Sequence, residues 1–285
     1  MKNLLENVSL PKLSIGMLIT CVCALGIHAL MIQTLGVAYP GIKIDAPIPQ
    51  FISREFFPAL ALIFLSNLLQ EKMKDRHFIF RCVFLFLLFT MVQESFFRVP
   101  FMNGYCSNSL LFNFIKNIPK MLPVLALSTF VIAITPYSQN FLKKAGAALL
   151  LAALNLFILT PIFAYLFEGI LRSLQFLSHP GWCELPYGWN VLIPAYVSFV
   201  EPVLASMAVA ALIWNKLSEK PIARVFQFVL LIMIIRRHLF FWAVYMAYSG
   251  QPAMIGLASA GQFTLEAFIL GLLTALTWKW AQQHR

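Results

Sequence analysis

Eight stretches of this chain are apolar for long enough, or nearly so, to cross a lipid bilayer as helices: 14–37, 56–70, 78–97, 118–137, 145–167, 190–214, 224–248 and 256–280. A helix rising about 1.5 Å per residue needs about 20 residues to cross about 30 Å of hydrocarbon. In hydrocarbon every backbone N–H and C=O has to be satisfied within the protein, so such runs fold as helices. The expected fold is therefore all-α: a polytopic integral membrane protein of about eight transmembrane helices. It forms a single helical domain over residues 1–285 with both termini cytoplasmic and no separate soluble domain. Two runs are weaker. The run 56–70 is short, with Pro58 in its first turn, where proline is tolerated. The run 118–137 carries Lys120 and Pro123 near its start.

Composition removes the alternatives. Charged residues make up 11% of the 285 and hydrophobic ones 60%, against roughly 25% charged in an ordinary globular chain. So few polar groups could not cover a soluble surface. With 13 Gly, 16 Pro and 5 Cys, collagen, disorder and a disulfide-dense secreted scaffold are excluded as well. The first apolar run is longer than a signal-peptide core and has no small-residue cleavage site after it, so it reads as an uncleaved span. No internal repeat is visible in the sequence.

The charges orient the chain. In the eight-span arrangement Lys2, Lys12, Lys72, Lys74, Arg76, Arg81, Lys143, Lys144, Lys216, Lys220, Arg224, Lys279 and Arg285 collect on one side. Lys43, Arg54, Arg98, Lys116, Lys120 and Arg172 collect on the other. Cytoplasmic loops hold the Lys and Arg excess, so the richer side is cytoplasmic and the chain is expected in the inner (plasma) membrane. The net charge of +10 then reflects topology and attraction to anionic membrane lipids, not nucleic-acid binding. A partner membrane subunit or a homo-oligomer is the other partner class expected. The longest connections, 39–55, 98–117 and 168–189, fall on the non-cytoplasmic side.

Ionisable residues inside the spans are costly, and by default they mark function. Counted along the helices, Glu201, Arg236, Arg237, His238, Glu266 and Asn155 reach similar depths near the midplane, and they form the expected substrate-binding site. Glu201 and Glu266 are expected beside Arg236 or Arg237. Pro202 removes a backbone donor next to Glu201. Consecutive helical residues point about 100° apart, so Arg236, Arg237 and His238 cannot all face one pocket from an unbroken peripheral helix. Either that span is enclosed by protein or it is interrupted. A second cluster is expected at the non-cytoplasmic rim, where Glu94 with Arg98 and Glu168 with Arg172 have the four-residue spacing of helical ion pairs.

Cys21, Cys23 and Cys82 fall in spans and read as small buried residues. Cys106 and Cys183 fall in non-cytoplasmic loops. They are a possible disulfide, two free thiols, or, for Cys106, a catalytic thiolate. Gln93-Glu94-Ser95-Phe96-Phe97-Arg98 resembles the first motif, Glu-Glu-x-x-x-Arg, of the CAAX-protease-like membrane family. That resemblance implies an intramembrane protease-like activity using Glu94, although Gln93 replaces the first Glu and the family's later histidine motifs are absent. Cys106-Ser107, then Asn155 and His179, is similar in order to exosortase-type membrane transpeptidases, and implies Cys106 as nucleophile. Ile158 stands where that family has its arginine. No metal-ligand motif is present, and two lone span histidines, His28 and His238, do not amount to a haem site, so no metal and no cofactor is expected. The residues favour a transporter or translocation subunit. An assembly or regulatory subunit and an intramembrane enzyme near the non-cytoplasmic face are the alternatives.

Overall fold

The structure, a computed structural model, describes residues 8–40, 47–137 and 140–282. Lys2, Lys43 and Arg285 of the charge count lie outside the described residues. Helix makes up 82% of the structure and no strand is found among the described residues. Among the described residues thirteen α-helical segments follow one another. They are α1 Leu10–Ala29, α2 Pro47–Phe51, α3 Phe57–Met73, α4 Phe78–Val92, α5 Arg98–Cys106, α6 Leu110–Ile134, α7 Phe141–Leu154, α8 Thr160–Ser173, α9 Trp189–Ser198, α10 Val200–Ile213, α11 Pro221–Ile235, α12 Phe241–Tyr248 and α13 Ala253–Gln282. Short π-turns continue α1 over Leu30–Thr34, join α2 to α3 over Ile52–Phe56, and join α7 to α8 over Asn155–Leu159.

Among the described residues six continuous helices are long and apolar enough to cross a membrane: Leu10–Thr34, Pro47–Met73, Leu110–Tyr137, Phe141–Ser173, Trp189–Lys216 and Ala253–Gln282. Two shorter apolar helices, Phe78–Val92 and Pro221–Ile235, accompany them. The two runs that looked weak in sequence are full-length helices, because Pro47–Met73 starts well before residue 56 and Leu110–Tyr137 before residue 118. The supposed loop 39–55 is thus helical from Pro47, with prolines at the helix start, where a missing N–H costs nothing. Conversely, two runs that looked continuous are broken. The run 78–97 stops at Val92 and the run 224–248 at Ile235.

Both breaks have one cause. The backbone turns left-handed at Glu94 (φ 62°) and at Arg237 (φ 65°). Ser95 N–H reaches back to Thr90 O and Glu94 N–H to Met91 O, while His238 N–H bonds Met233 O and Arg237 N–H bonds Ile234 O. This paired closure ends a helix most often with glycine at the left-handed position, where a Cβ is strained. Each break accepts a charged residue there instead.

The recurrence extends through most of the chain. Phe57 and Val200, Phe78 and Pro221, Arg98 and Phe241, and Leu110 and Ala253 each begin helices 143 residues apart. Glu94 and Arg237 stand at the same offset. Each half thus runs long helix, long helix, broken helix, long helix. The sequence hides this repeat because lipid and a helical core accept any apolar side chain, so helix lengths persist while identities drift.

The chain forms two compact units, Met1–Ser53 with Pro202–Arg285, and Arg54–Glu201. In the first, α1 packs along α13, which also packs on α11 and α12. Gly16 faces Thr277 too closely for any Cβ, and Gly271 lies against the backbone of Val229. These small residues let helices approach where packing, not water, drives association. In the second unit α6 packs on α4, α5 and α8, and α3 on α7, with Ala148 and Ala152 buried. The first helix of each half therefore packs on the last helix of the other half. Cys21 and Cys82 are buried, whereas Cys23 is exposed on its helix.

Candidate functional site

In the unit of α1, α11, α12 and α13, the break after Ile235 places Arg236 against Glu266 of α13, and their side chains form an ion pair with each only 4% exposed. His28, near the end of α1, puts Nδ1 3.4 Å from the second carboxylate oxygen of Glu266. Phe263, one turn before Glu266, lies between two imidazoles, 4.5 Å from the His28 ring and 5.7 Å from that of His238. Tyr39 closes over His28 at 5.2 Å. The backbone freed by the break is satisfied from α13, where the Thr264 hydroxyl donates to His238 O at 3.0 Å. Ser259 and Gln262 donate to Ala38 O, at 2.8 and 3.3 Å, tying the end of the first span to the same helix. A carboxylate, a guanidinium and an imidazole thus converge at non-helical backbone. A buried charge pair persists only with such partners.

The Arg54–Glu201 unit contains the second break. Phe97 N–H donates to Glu201 Oε1 at 3.0 Å, and Arg98 N–H donates to Oε2. These are the first amides of α5, so the carboxylate of Glu201 caps a helix N-terminus, where negative charge is favoured. The Arg98 guanidinium donates to Glu94 at 2.6 Å and lies 5.0 Å from the Phe199 ring centre. The Asn117 amide donates to Ser95 O. That carbonyl is the counterpart of His238 O in the other break, and in both halves the long helix after the break supplies the side chain that satisfies it.

Glu201 therefore belongs with Glu94 and Arg98, and the expectation that it pairs with Arg236 or Arg237 is corrected. Depth along a helix is one coordinate of three, and equal depth does not bring side chains together. Of the expected midplane group, Arg236 and Glu266 pair, and His238 joins them through Phe263. Arg237 sits at the left-handed position of the break. Asn155 instead donates to Glu55 at 2.7 Å. Of the rim group, Glu94 and Arg98 pair across the break and not along one continuous helix, while Glu168 and Arg172 form an exposed pair on α8, with side chains 51% and 76% exposed.

The sequence reading missed His28, Tyr39, Phe263 and Glu55 as members of polar sites. Phe263 stands three residues before Glu266, a spacing that puts both on one helix face. Glu55 was hidden by its assignment to a loop.

Cys106 and Cys183 form a disulfide, with Cα atoms 5.2 Å apart. The Cys106 sulfur is thus engaged, which overturns the thiolate reading and with it the transpeptidase resemblance. Trp182 N–H donates to Cys106 O at 2.7 Å, and the Trp182 indole donates to Tyr105 O at 3.0 Å. Tyr105 in turn donates to Asn190 O at 2.8 Å. Pro194, four residues on, has no N–H to bond that carbonyl. Among the described residues no cluster of three or more His, Cys, Asp or Glu is arranged to hold a metal ion. No protein-family model, curated protein or solved structure matches this chain.

Proposed function

We propose that the chain is a transport or translocation protein of the inner (plasma) membrane, and that the cluster of His28, Arg236 and Glu266 is its working site. The observation that carries this reading is a carboxylate, a guanidinium and an imidazole buried together beside a break in an apolar helix. Broken helices with ionisable residues inside the bilayer are what transporters use to bind polar solutes or pass protons. The duplicated order of helices supports the same reading, since many transporters are built from internal repeats. In this role the Arg236 guanidinium offers a fork of donors to an anionic group of the solute. His28 and Glu266 offer sites where a proton can be held or released.

The test is uptake of a panel of labelled amino acids, organic acids and sugars by vesicles containing the purified protein. Glu266→Gln combined with Arg236→Gln removes both charges while leaving neither unpaired. Loss of uptake by a folded double variant is the expected result. Wild-type uptake in that variant, or no uptake of any solute by the wild type, overturns the reading and leaves the cluster as a device for helix packing or for holding a partner subunit.

A further inference from the structure

A second polar site lies within the Arg54–Glu201 unit, where two widened turns bring Glu55 and Asn155 together. The helix is π-wound over Ile52–Phe56 and again over Asn155–Leu159. A proline follows each turn, Pro58 and Pro161, and having no N–H they withdraw the helical donors from the carbonyls of Arg54 and Phe157. Widened turns inside helices recur at functional sites. Asn155 Nδ2 donates to Glu55 Oε2 at 2.7 Å. Asn155 is only 7% exposed, and its Oδ1 has no hydrogen-bond partner. Among the described residues no basic side chain forms an ion pair with Glu55.

We propose that Glu55 and Asn155 hold one alkali cation of sodium size. The pair offers a carboxylate and a buried carboxamide oxygen without a partner, oxygen donors that suit a hard cation. Charge balance selects the valence. One carboxylate neutralised by one monovalent ion leaves no net charge in the bilayer, whereas a divalent ion leaves an uncompensated positive charge. A half-turn of the Asn155 carboxamide exchanges Nδ2 for Oδ1 beside Glu55, so one side chain serves the carboxylate alone or the carboxylate with its ion. The site shares no residue with the His28–Arg236–Glu266 cluster and stands or falls apart from the transport reading.

The experiment uses the full chain in lipid nanodiscs, with sodium chloride compared against N-methylglucamine chloride at equal ionic strength. Sodium at tenfold excess over Kd should raise Tm by roughly 3–5 °C, saturably. Radiosodium should bind one ion per chain. Asn155→Leu should abolish both effects, and Asn155→Asp, which leaves two carboxylates at the site, should shift the preference from sodium to a divalent ion. Glu55→Gln should abolish them too. Equal Tm in the two salts for the wild type, or sodium binding unchanged in folded Asn155→Leu, overturns the proposal. A wild-type shift that needs a divalent ion instead also overturns it.

Discussion

Replacing Glu266 by Gln is the most direct perturbation of the Arg236 pair. Both side chains are 4% exposed, so neither charge can turn to water when its partner is removed. Leaving one charge of a buried pair uncompensated costs about 3–5 kcal/mol. Gln retains an acceptor for the guanidinium, which puts Glu266→Gln at the low end, about 3 kcal/mol, and Glu266→Leu at the high end, about 5 kcal/mol. Arg236→Met takes the guanidinium from the carboxylate while His28 stays beside it, and should cost about 3 kcal/mol. Exchanging both members of a buried pair for neutral groups is often close to neutral, so the double variant Glu266→Gln with Arg236→Met should lie within about 1 kcal/mol of wild type. The assay is equilibrium unfolding in mixed micelles followed by tryptophan fluorescence, arranged as a double-mutant cycle. Two single variants within about 1 kcal/mol of wild type, with no coupling between them, would show that water or lipid headgroups reach the guanidinium. The burial argument would then be wrong.

Glu201→Gln replaces one of the two carboxylate oxygens that accept from Phe97 and Arg98 N–H with an NH2 group, and should cost about 1–3 kcal/mol in the same unfolding assay. Arg237 is strained by its left-handed backbone, so Arg237→Val should be less stable than Arg237→Gly by about 1–2 kcal/mol; equal stabilities would remove the strain argument. The disulfide spans 77 residues, and Cys106→Ser with Cys183→Ser should lose up to about 4 kcal/mol. In membranes from unreduced cells Cys106 and Cys183 should resist maleimide until reductant is added, and labelling of both before reduction refutes the bond.

How much of this was legible in the residues divides along physical lines. The all-α class was legible because hydrocarbon imposes a length and forbids unsatisfied backbone; the number of helices long enough to cross was not, six being found where eight runs were read. Charged residues inside apolar runs were legible because their cost makes them rare. The breaks at Glu94 and Arg237 were not. Apolar composition continues on both sides of each, and neither position carries the glycine that usually announces a left-handed turn. The threefold arginine and histidine run did require either enclosure or interruption, and interruption is what the structure adopts.

What only the tertiary structure decided is partnership. Sequence placed Glu201, Glu266 and Arg236 at one depth, which is a single coordinate along the membrane normal. Lateral packing supplied the other two. It set Glu266 of α13 across from the end of α11 and gave Glu201 to the amides that open α5. Helix formation, not packing, exposed the repeat, because it is written in helix starts and in the positions of the breaks. Side-chain identities in an apolar environment are interchangeable, and a repeat written in lengths alone becomes visible only once the helices have formed.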